Sequence, residues 1–291
     1  MSSNNPFISG NEEEIEGILA GAIDTHVHAG PDPYIERKLD AYQLAEDSIA
    51  AGMAGIVLKS HDYPTQSLAW VLNRFLNNQR FRVYGGLALN FSVGGLNPRA
   101  VDVALRLGTS VIWMPTYDSR QWDVSEDATT STTVAPIGIS DDGVLLPVCH
   151  EILDLISQHN ATLASGHLNV EETHLLLAEA RQRDIRCVVT HASFWMPLAS
   201  QEYLAKLGCF IEQSAIATTG KNPTNEFEKI ISQIQAIGSQ HVILSSDLGQ
   251  ASNPRPSVGL AHWVRNFLSV GFSEAQITQM IKENPHRLLG K

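Results

Sequence analysis

The sequence predicts an α/β fold, a (β/α)8 or TIM barrel with a short N-terminal extension and C-terminal helices. Three observations predict it. Short apolar runs rich in β-branched residues alternate with helical patterns over about 250 residues, the signature of that barrel. No Gly-x-Gly-x-x-Gly turn follows the first strand, where His28-Ala29-Gly30-Pro31-Asp32-Pro33 stands instead, and this weakens the rival reading of a doubly wound open sheet. Several strands finish on an ionisable or metal-binding residue, and in such a barrel the C-terminal strand ends converge on one site.

The first strand, Ala22 to His28, closes on Asp24-Thr25-His26-Val27-His28. A period of two aims Asp24, His26 and His28 at one face. Buried polar groups without partners cost about 1–3 kcal/mol each, and a divalent metal would satisfy both imidazoles. A hydrogen-bonded pair of core histidines is the alternative. A helical pattern over Ala41 to Ala51 leads to the second strand, Gly55 to Lys59, where Val57-Leu58-Lys59-Ser60-His61 puts Lys59 and His61 on one face. The third and fourth strands are Arg82 to Leu89 and Ser110 to Met114, preceded by helices over Ser67 to Asn77 and Pro98 to Leu107. Tyr117 to Pro147 is the longest insertion, expected at the catalytic mouth as a lid or substrate wall, with a hairpin around the Asp141-Asp142-Gly143 turn.

Helix Val148 to His159 precedes the fifth strand, Ala161 to His167, and helix Glu171 to Arg183 the sixth, Arg186 to His191. After helix Pro197 to Leu207 come the seventh strand, Cys209 to Gln213, helix Asn225 to Ile237 and the eighth strand, His241 to Asp247. Ser245 to Gln250 reads as a substrate-facing loop, with Gly249 permitting close backbone approach. Helices over Val258 to Val270 and Ser273 to Glu283 complete the chain. No linker or composition shift divides it, so residues 1–291 read as a single domain.

Composition bounds the function. The chain is 43% hydrophobic, and 20 basic against 31 acidic residues leave a formal charge of −11 without a Lys/Arg cluster, so nucleic acid is not an expected partner. No apolar run reaches the roughly 18 residues of a membrane span. The N-terminal stretch carries Glu12 to Glu14 and lacks a secretory or transit pattern. Cys149, Cys187 and Cys209 form no pairing pattern, as expected of buried, reduced thiols in a cytoplasmic protein.

Strand-end placement brings His26, His28, His167, His191 and Asp247 to one point, with Lys59 and His61 beside them. His150, His159, His174, His241, His262 and His286 sit on helices or at a strand start and fall outside the site. This ordered set resembles the metal-dependent amidohydrolase superfamily: His-x-His ending strand one, His ending strands five and six, Asp ending strand eight. The tail Glu283-Asn284-Pro285-His286-Arg287-Leu288-Leu289-Gly290 is similar to endings common there. The resemblance implies one or two divalent ions, usually zinc, with manganese or iron as alternatives, a metal-bound water as nucleophile, and a homo-oligomer. It departs at strand four, which ends Trp113-Met114-Pro115-Thr116 and offers no bridging ligand. Two readings follow: a mononuclear site like those of the superfamily's decarboxylases and deaminases, or a binuclear one bridged from elsewhere, for which a carboxylated Lys59 is the candidate.

Three neutral imidazoles and a carboxylate suit a borderline cation that keeps a position open for water, whose pKa it lowers from 15.7 to about 7 in favourable cases. Asp247 is the expected general acid and base. His191 is a second-metal ligand or orients water and substrate. Lys59 bridges metals or binds a substrate oxyanion; a solvated rim lysine and a Schiff base are the alternatives. Arg37, Arg120 and Arg255 lie in loops expected at the mouth; with His61, Arg37 and Arg255 are the candidate substrate contacts. The leading expectation is a metal-dependent hydrolase of a small-molecule amide, cyclic amide, lactone or related C–N or C–O bond. The alternatives are a decarboxylase or other lyase on the same site, a metal-binding barrel without turnover, and a Schiff-base aldolase using Lys59.

Overall fold

Eight strands pair in parallel, each with the next in the barrel, around an interior that is apolar at one end and ionisable at the other. The computed structural model describes residues 5–9, 17–123 and 135–290. The strands are β1 (Ile23–Val27), β2 (Gly55–Leu58), β3 (Arg82–Ala88), β4 (Val111–Trp113), β5 (Ser140–Asp141), β6 (Val144–Leu145), β7 (Thr162–Ala164), β8 (Arg186–Val189), β9 (Phe210–Ser214) and β10 (Val242–Ser245). The barrel order is β1-β2-β3-β4-β7-β8-β9-β10, while β5 and β6 form the hairpin expected around Asp142 and Gly143, both with positive φ. The fold is the expected (β/α)8 barrel, with boundaries shifted by one to three residues. Among the described residues no helix is long and apolar enough to cross a membrane. Residues 10–16 and 124–134, which include Glu12 to Glu14 and the middle of the long insertion, lie outside the described residues.

Closure between β1 and β10 is made by individual bonds. Asp247 N donates to His26 O (2.8 Å), His28 N to Leu248 O (2.9 Å), and Ser246 N to the Asp24 carboxylate (3.0 Å). Strict alternation along β1 fails for a physical reason. Ile23 belongs to the interior apolar cluster, yet His26 and His28 also face inward, so the phase changes at the irregularity between Asp24 and Val27. Asp24 thereby becomes a seam residue whose carboxylate accepts backbone N–H groups.

The opposite end of the barrel is stopped by the tail. Leu288 and Leu289 pack with Ile23, Val57, Tyr84, Phe210 and Ile243, and Leu288 O accepts from Thr162 Oγ1 (2.6 Å) and Arg186 Nε (2.8 Å). Asn284 anchors this segment by donating to Ser239 O and Val242 O. The helix expected over Ser273 to Glu283 runs as α-helix Glu274–Thr278, a π turn Gln279–Glu283 and helix Asn284–Leu288. Pro285 brings no N–H to the ladder, and the π turn absorbs the mismatch. Cys149, Cys187 and Cys209 are free and buried, as expected.

Candidate metal centre and active-site cavity

His26 and His28 project from the end of β1 toward Asp247, which follows β10. Asp247 Oδ1 lies 2.9 Å from His28 Nε2 and 3.1 Å from His26 Nε2. The His26 nitrogen is buried and has no hydrogen bond despite that proximity. Ligand atoms of these three residues lie within 4.8 Å of one another. An orphaned imidazole nitrogen, a second imidazole and a carboxylate are the donor set a borderline divalent cation takes, so the residues fit the group. Asp247 and His191 both adopt φ 50°, a left-handed conformation that is costly for non-glycine residues and concentrates at functional sites. Gly249 allows the loop beyond Asp247 to press on β1: a Cβ there would overlap the His28 carbonyl oxygen.

Glu212 on β9 holds the centre from behind. Its carboxylate accepts from His26 Nδ1 (3.1 Å), Ser245 Oγ (2.9 Å) and His191 N (3.1 Å). With the proton on Nδ1, His26 presents the Nε2 lone pair toward Asp247, the arrangement that orients a metal-binding imidazole. His26, His191 and Glu212 form a second cluster with metal-ligand spacing, but hydrogen bonds already join its members. The sequence reading missed Glu212. Its signal was an acidic side chain inside the apolar run Phe210-Ile211-Glu212, which nothing local can explain.

Electrostatics prepare the donors. Burial lowers the pKa of His28 to about 3 and of His191 to about 4, so both are neutral at pH 7. Burial alone would raise Asp247 and Glu212, yet neighbouring His26 outweighs it, holding Asp247 well below the carboxylate range and Glu212 at about 2. Burial and Lys59 oppose charge on His26, but Asp247 and Glu212 overcome them and raise its pKa. The pocket thus attracts positive charge at His26.

Lys59 is buried inside the barrel, not on a solvated rim. Its Nζ has no hydrogen bond and lies 5.7 Å from the Trp113 ring, and burial lowers its pKa to about 8 against the pull of Asp247 and Glu212. Trp113 occupies the end of β4, where no bridging ligand was expected, with its ring 5.7 Å from that of His26. Gly86 makes room for it, since a Cβ there would overlap the indole.

Above the centre opens a cavity of about 370 Å³ lined by His28, His61, His167, His191 and Asp247, with Tyr117, Trp122, Phe194 and Trp195 among its walls. His61 stacks between His28 and Tyr117, with centroids 5.1 and 3.7 Å away. His167 lines the cavity with neither ring nitrogen hydrogen-bonded, and it belongs to neither ligand cluster. Arg37 and Arg255 do not line the cavity. Arg37 donates from Nε and Nη2 to one oxygen of Asp32 (2.8 and 2.6 Å), and Arg255 pairs with Asp47 on the first helix (2.7 Å). Arg120 reaches Glu172 and Ser140 instead. None of the six histidines set aside above lines the cavity. The expected wall from the long insertion is supplied, within the described residues, by Tyr117 and Trp122; loop aromatics carry no periodic signal by which sequence could select them.

The fold is shared with solved enzymes. The chain is similar to an amidohydrolase from Pseudomonas aeruginosa (13% identity, TM-score 0.68, 95% of this chain and 97% of that one) and to a lactonase from Listeria monocytogenes (13%, 0.65, 94% and 95%). It is also similar to a 2,6-dihydroxybenzoate decarboxylase from Rhizobium (13%, 0.54, 94% and 99%). At these identities the likeness is one of fold. No curated protein matches by sequence. Residues 21–212 match the model of a family described as one of unknown function, DUF6282, covering the first seven barrel strands as far as Glu212. With most of its length inside that match, the chain belongs to the DUF6282 family.

Proposed function

We propose that the protein is a metal-dependent hydrolase acting on a small-molecule amide, cyclic amide, lactone or related C–N or C–O bond. The observation that carries this reading is the approach of two imidazole nitrogens, 2.9 and 3.1 Å, to one oxygen of Asp247 at the floor of a cavity. His26, His28 and Asp247 would hold the ion, zinc in the first instance with manganese or iron as alternatives, and His167 is the imidazole placed to complete its shell after a shift. Bound there, a divalent metal supplies Lewis acidity toward a carbonyl and makes water a nucleophile at neutral pH.

The chain's own groups do the rest. Asp247 Oδ2, the oxygen turned away from His28, accepts a proton from the attacking water and returns it to the leaving nitrogen or oxygen. His191 Nε2 lies 3.5 Å from that oxygen and orients it. The backbone of His191 is itself pinned by Glu212. Lys59 balances the charge of Asp247 and Glu212 from below; its Nζ is buried and lies outside the cavity lining. A homo-oligomer rests on the superfamily resemblance and is checked by light scattering.

Purified without chelators, the protein should carry about one equivalent of transition metal, and His26→Ala or Asp247→Ala should lose it. Absence of metal, together with failure to bind added zinc or manganese, overturns the proposal. A decarboxylase is the second reading, favoured by Trp113 standing where a bridging ligand would make the centre binuclear. Release of carbon dioxide instead of uptake of water distinguishes it.

A further inference from the structure

Two polar side chains at the cavity have no hydrogen-bond partner among the described residues. His167 is 3% exposed, and both its nitrogens are unbonded. Trp195 Nε1 is likewise buried and unbonded. The aromatic wall surrounds an open volume: Tyr117 and Trp122 lie 4.7 Å apart, His167 sits 5.2 Å from Trp122 and 6.0 Å from Trp195, and Trp122 and Trp195 meet edge-on at 6.3 Å. A buried polar group without a partner costs about 1–3 kcal/mol, so a site built this way expects a ligand that is aromatic on its faces and polar on its edge.

His61 defines that edge further. Thr116 Oγ1 already accepts from Asn90 Nδ2 (2.7 Å), and its other hydrogen-bond partner among the described residues is His61 Nδ1, also at 2.7 Å. A hydroxyl has one proton, and giving it to Nδ1 satisfies the whole triad. His61 then carries its own proton on Nε2. Its stacking on Tyr117 and His28 fixes the ring plane, leaving Nε2–H as a donor at the cavity wall. Among the described residues the lining contains no lysine or arginine. A ligand carboxylate would find no side-chain counterion there, and a cation would face the site that takes the metal.

We infer that the cavity binds an uncharged, planar, unsaturated ring bearing a carbonyl on its edge, stacked against Trp122 and Trp195 with the carbonyl oxygen accepting from His61 Nε2–H. This rests on the hydrolase reading and narrows it: the substrate is an aromatic or fully conjugated lactone, imide or cyclic amide. Saturated rings lose the stacking, and carboxylate-bearing ones lack a side-chain counterion in the metal-free protein.

The test is direct binding to metal-free and zinc-loaded protein, read by tryptophan quenching and calorimetry, with phthalide as the planar neutral probe. Hexahydrophthalide, phthalate and tetramethylammonium are the comparisons. Phthalide should bind both forms, since stacking needs no metal, and each comparison should bind the metal-free form at least about 10-fold more weakly. Trp195→Ala and Trp122→Ala should each weaken phthalide by about 3- to 10-fold. His61→Phe, which keeps the stack on Tyr117, should weaken phthalide but leave naphthalene, which has no acceptor, unchanged. Equal binding of phthalide and hexahydrophthalide, or tighter binding of phthalate or the cation, overturns the inference with the wild-type protein alone. Zinc titration of the same samples reports separately on the hydrolase reading, so either can fail without the other.

Discussion

Replacing Glu212 by Gln removes a negative charge while keeping the side chain's shape, and the consequence for metal affinity can be worked from the four hydrogen bonds its carboxylate accepts. Oε1 accepts from His26 Nδ1 (3.1 Å) and Ser245 Oγ (2.9 Å), and Oε2 accepts from His191 N (3.1 Å) and, at 3.3 Å, from His26 Nδ1. An amide offers one acceptor edge and one donor edge. With the NH2 at the Oε2 position, two donors face each other at His191 N–H, and the backbone that positions His191 loses its anchor. With the NH2 at the Oε1 position, Ser245 can rotate, but His26 Nδ1 loses its 3.1 Å acceptor and keeps only the 3.3 Å contact at the Oε2 position, which His191 N also uses. Either outcome should weaken zinc binding by about 10- to 100-fold, the range for lost carboxylate–imidazole support, or about 1.4–2.7 kcal/mol. The assay is competition against a fluorescent chelator on protein whose fold is verified by circular dichroism. A folded Glu212→Gln protein with a zinc Kd within twofold of wild type would refute the assignment.

Further outcomes follow from the same geometry. Asp247→Asn should keep the barrel but abolish turnover, and a variant retaining more than about a tenth of wild-type kcat on an identified substrate argues against the general-base role, since such groups contribute about 10²- to 10⁴-fold. Gly86→Ala pushes a methyl into the buried Trp113 ring and should cost about 1–3 kcal/mol in urea unfolding, with weaker zinc binding because that ring abuts His26; an unchanged midpoint counts against the packing described. For pH, burial depresses His28 to about 3 and His191 to about 4, below the 6.5 of the unfolded chain. Their contribution to metal-free stability is therefore full above pH 6.5 and lost as pH falls toward 4 and 3. Asp24, raised by burial to about 6, titrates in the opposite sense, so the readout is wild type minus His28→Asn. A difference that stays flat between pH 7 and 4.5 contradicts the burial argument.

What could be read from the sequence divides along physical lines. Strands such as Gly55–Leu58 and Val242–Ser245 are legible because burial on both faces demands continuous apolar runs, and the barrel then carries His28, His191 and Asp247 to one end without further information. Arg37 and Arg255 were read as substrate contacts from loop position alone. Their charges are taken up by Asp32 and Asp47, and sequence cannot state which loop carboxylate a guanidinium meets. Glu212 was illegible because its partner His26 lies 186 residues away. Asp24 was misread for a smaller reason: one irregularity in a five-residue strand reverses the face of every side chain before it.

The joint between β1 and β10 also bears on how the molecule reaches its native state. His28 and Asp247 are 219 residues apart, and bringing such distant points together costs about 5 kcal/mol of chain entropy by ideal loop closure, beyond a constant. The few bonds at that joint are made between the first strand and the last, and the opposite end is stopped only when Leu288 arrives. During synthesis the His26, His28 and Asp247 set is therefore incomplete until Asp247 has emerged, and a half-made barrel lacks the carboxylate that the two β1 histidines approach. A cation held at the finished joint would act as a clasp on it. Stripping it should expose the β1 and β10 edges to hydrogen exchange and proteolysis before any other pair of strands.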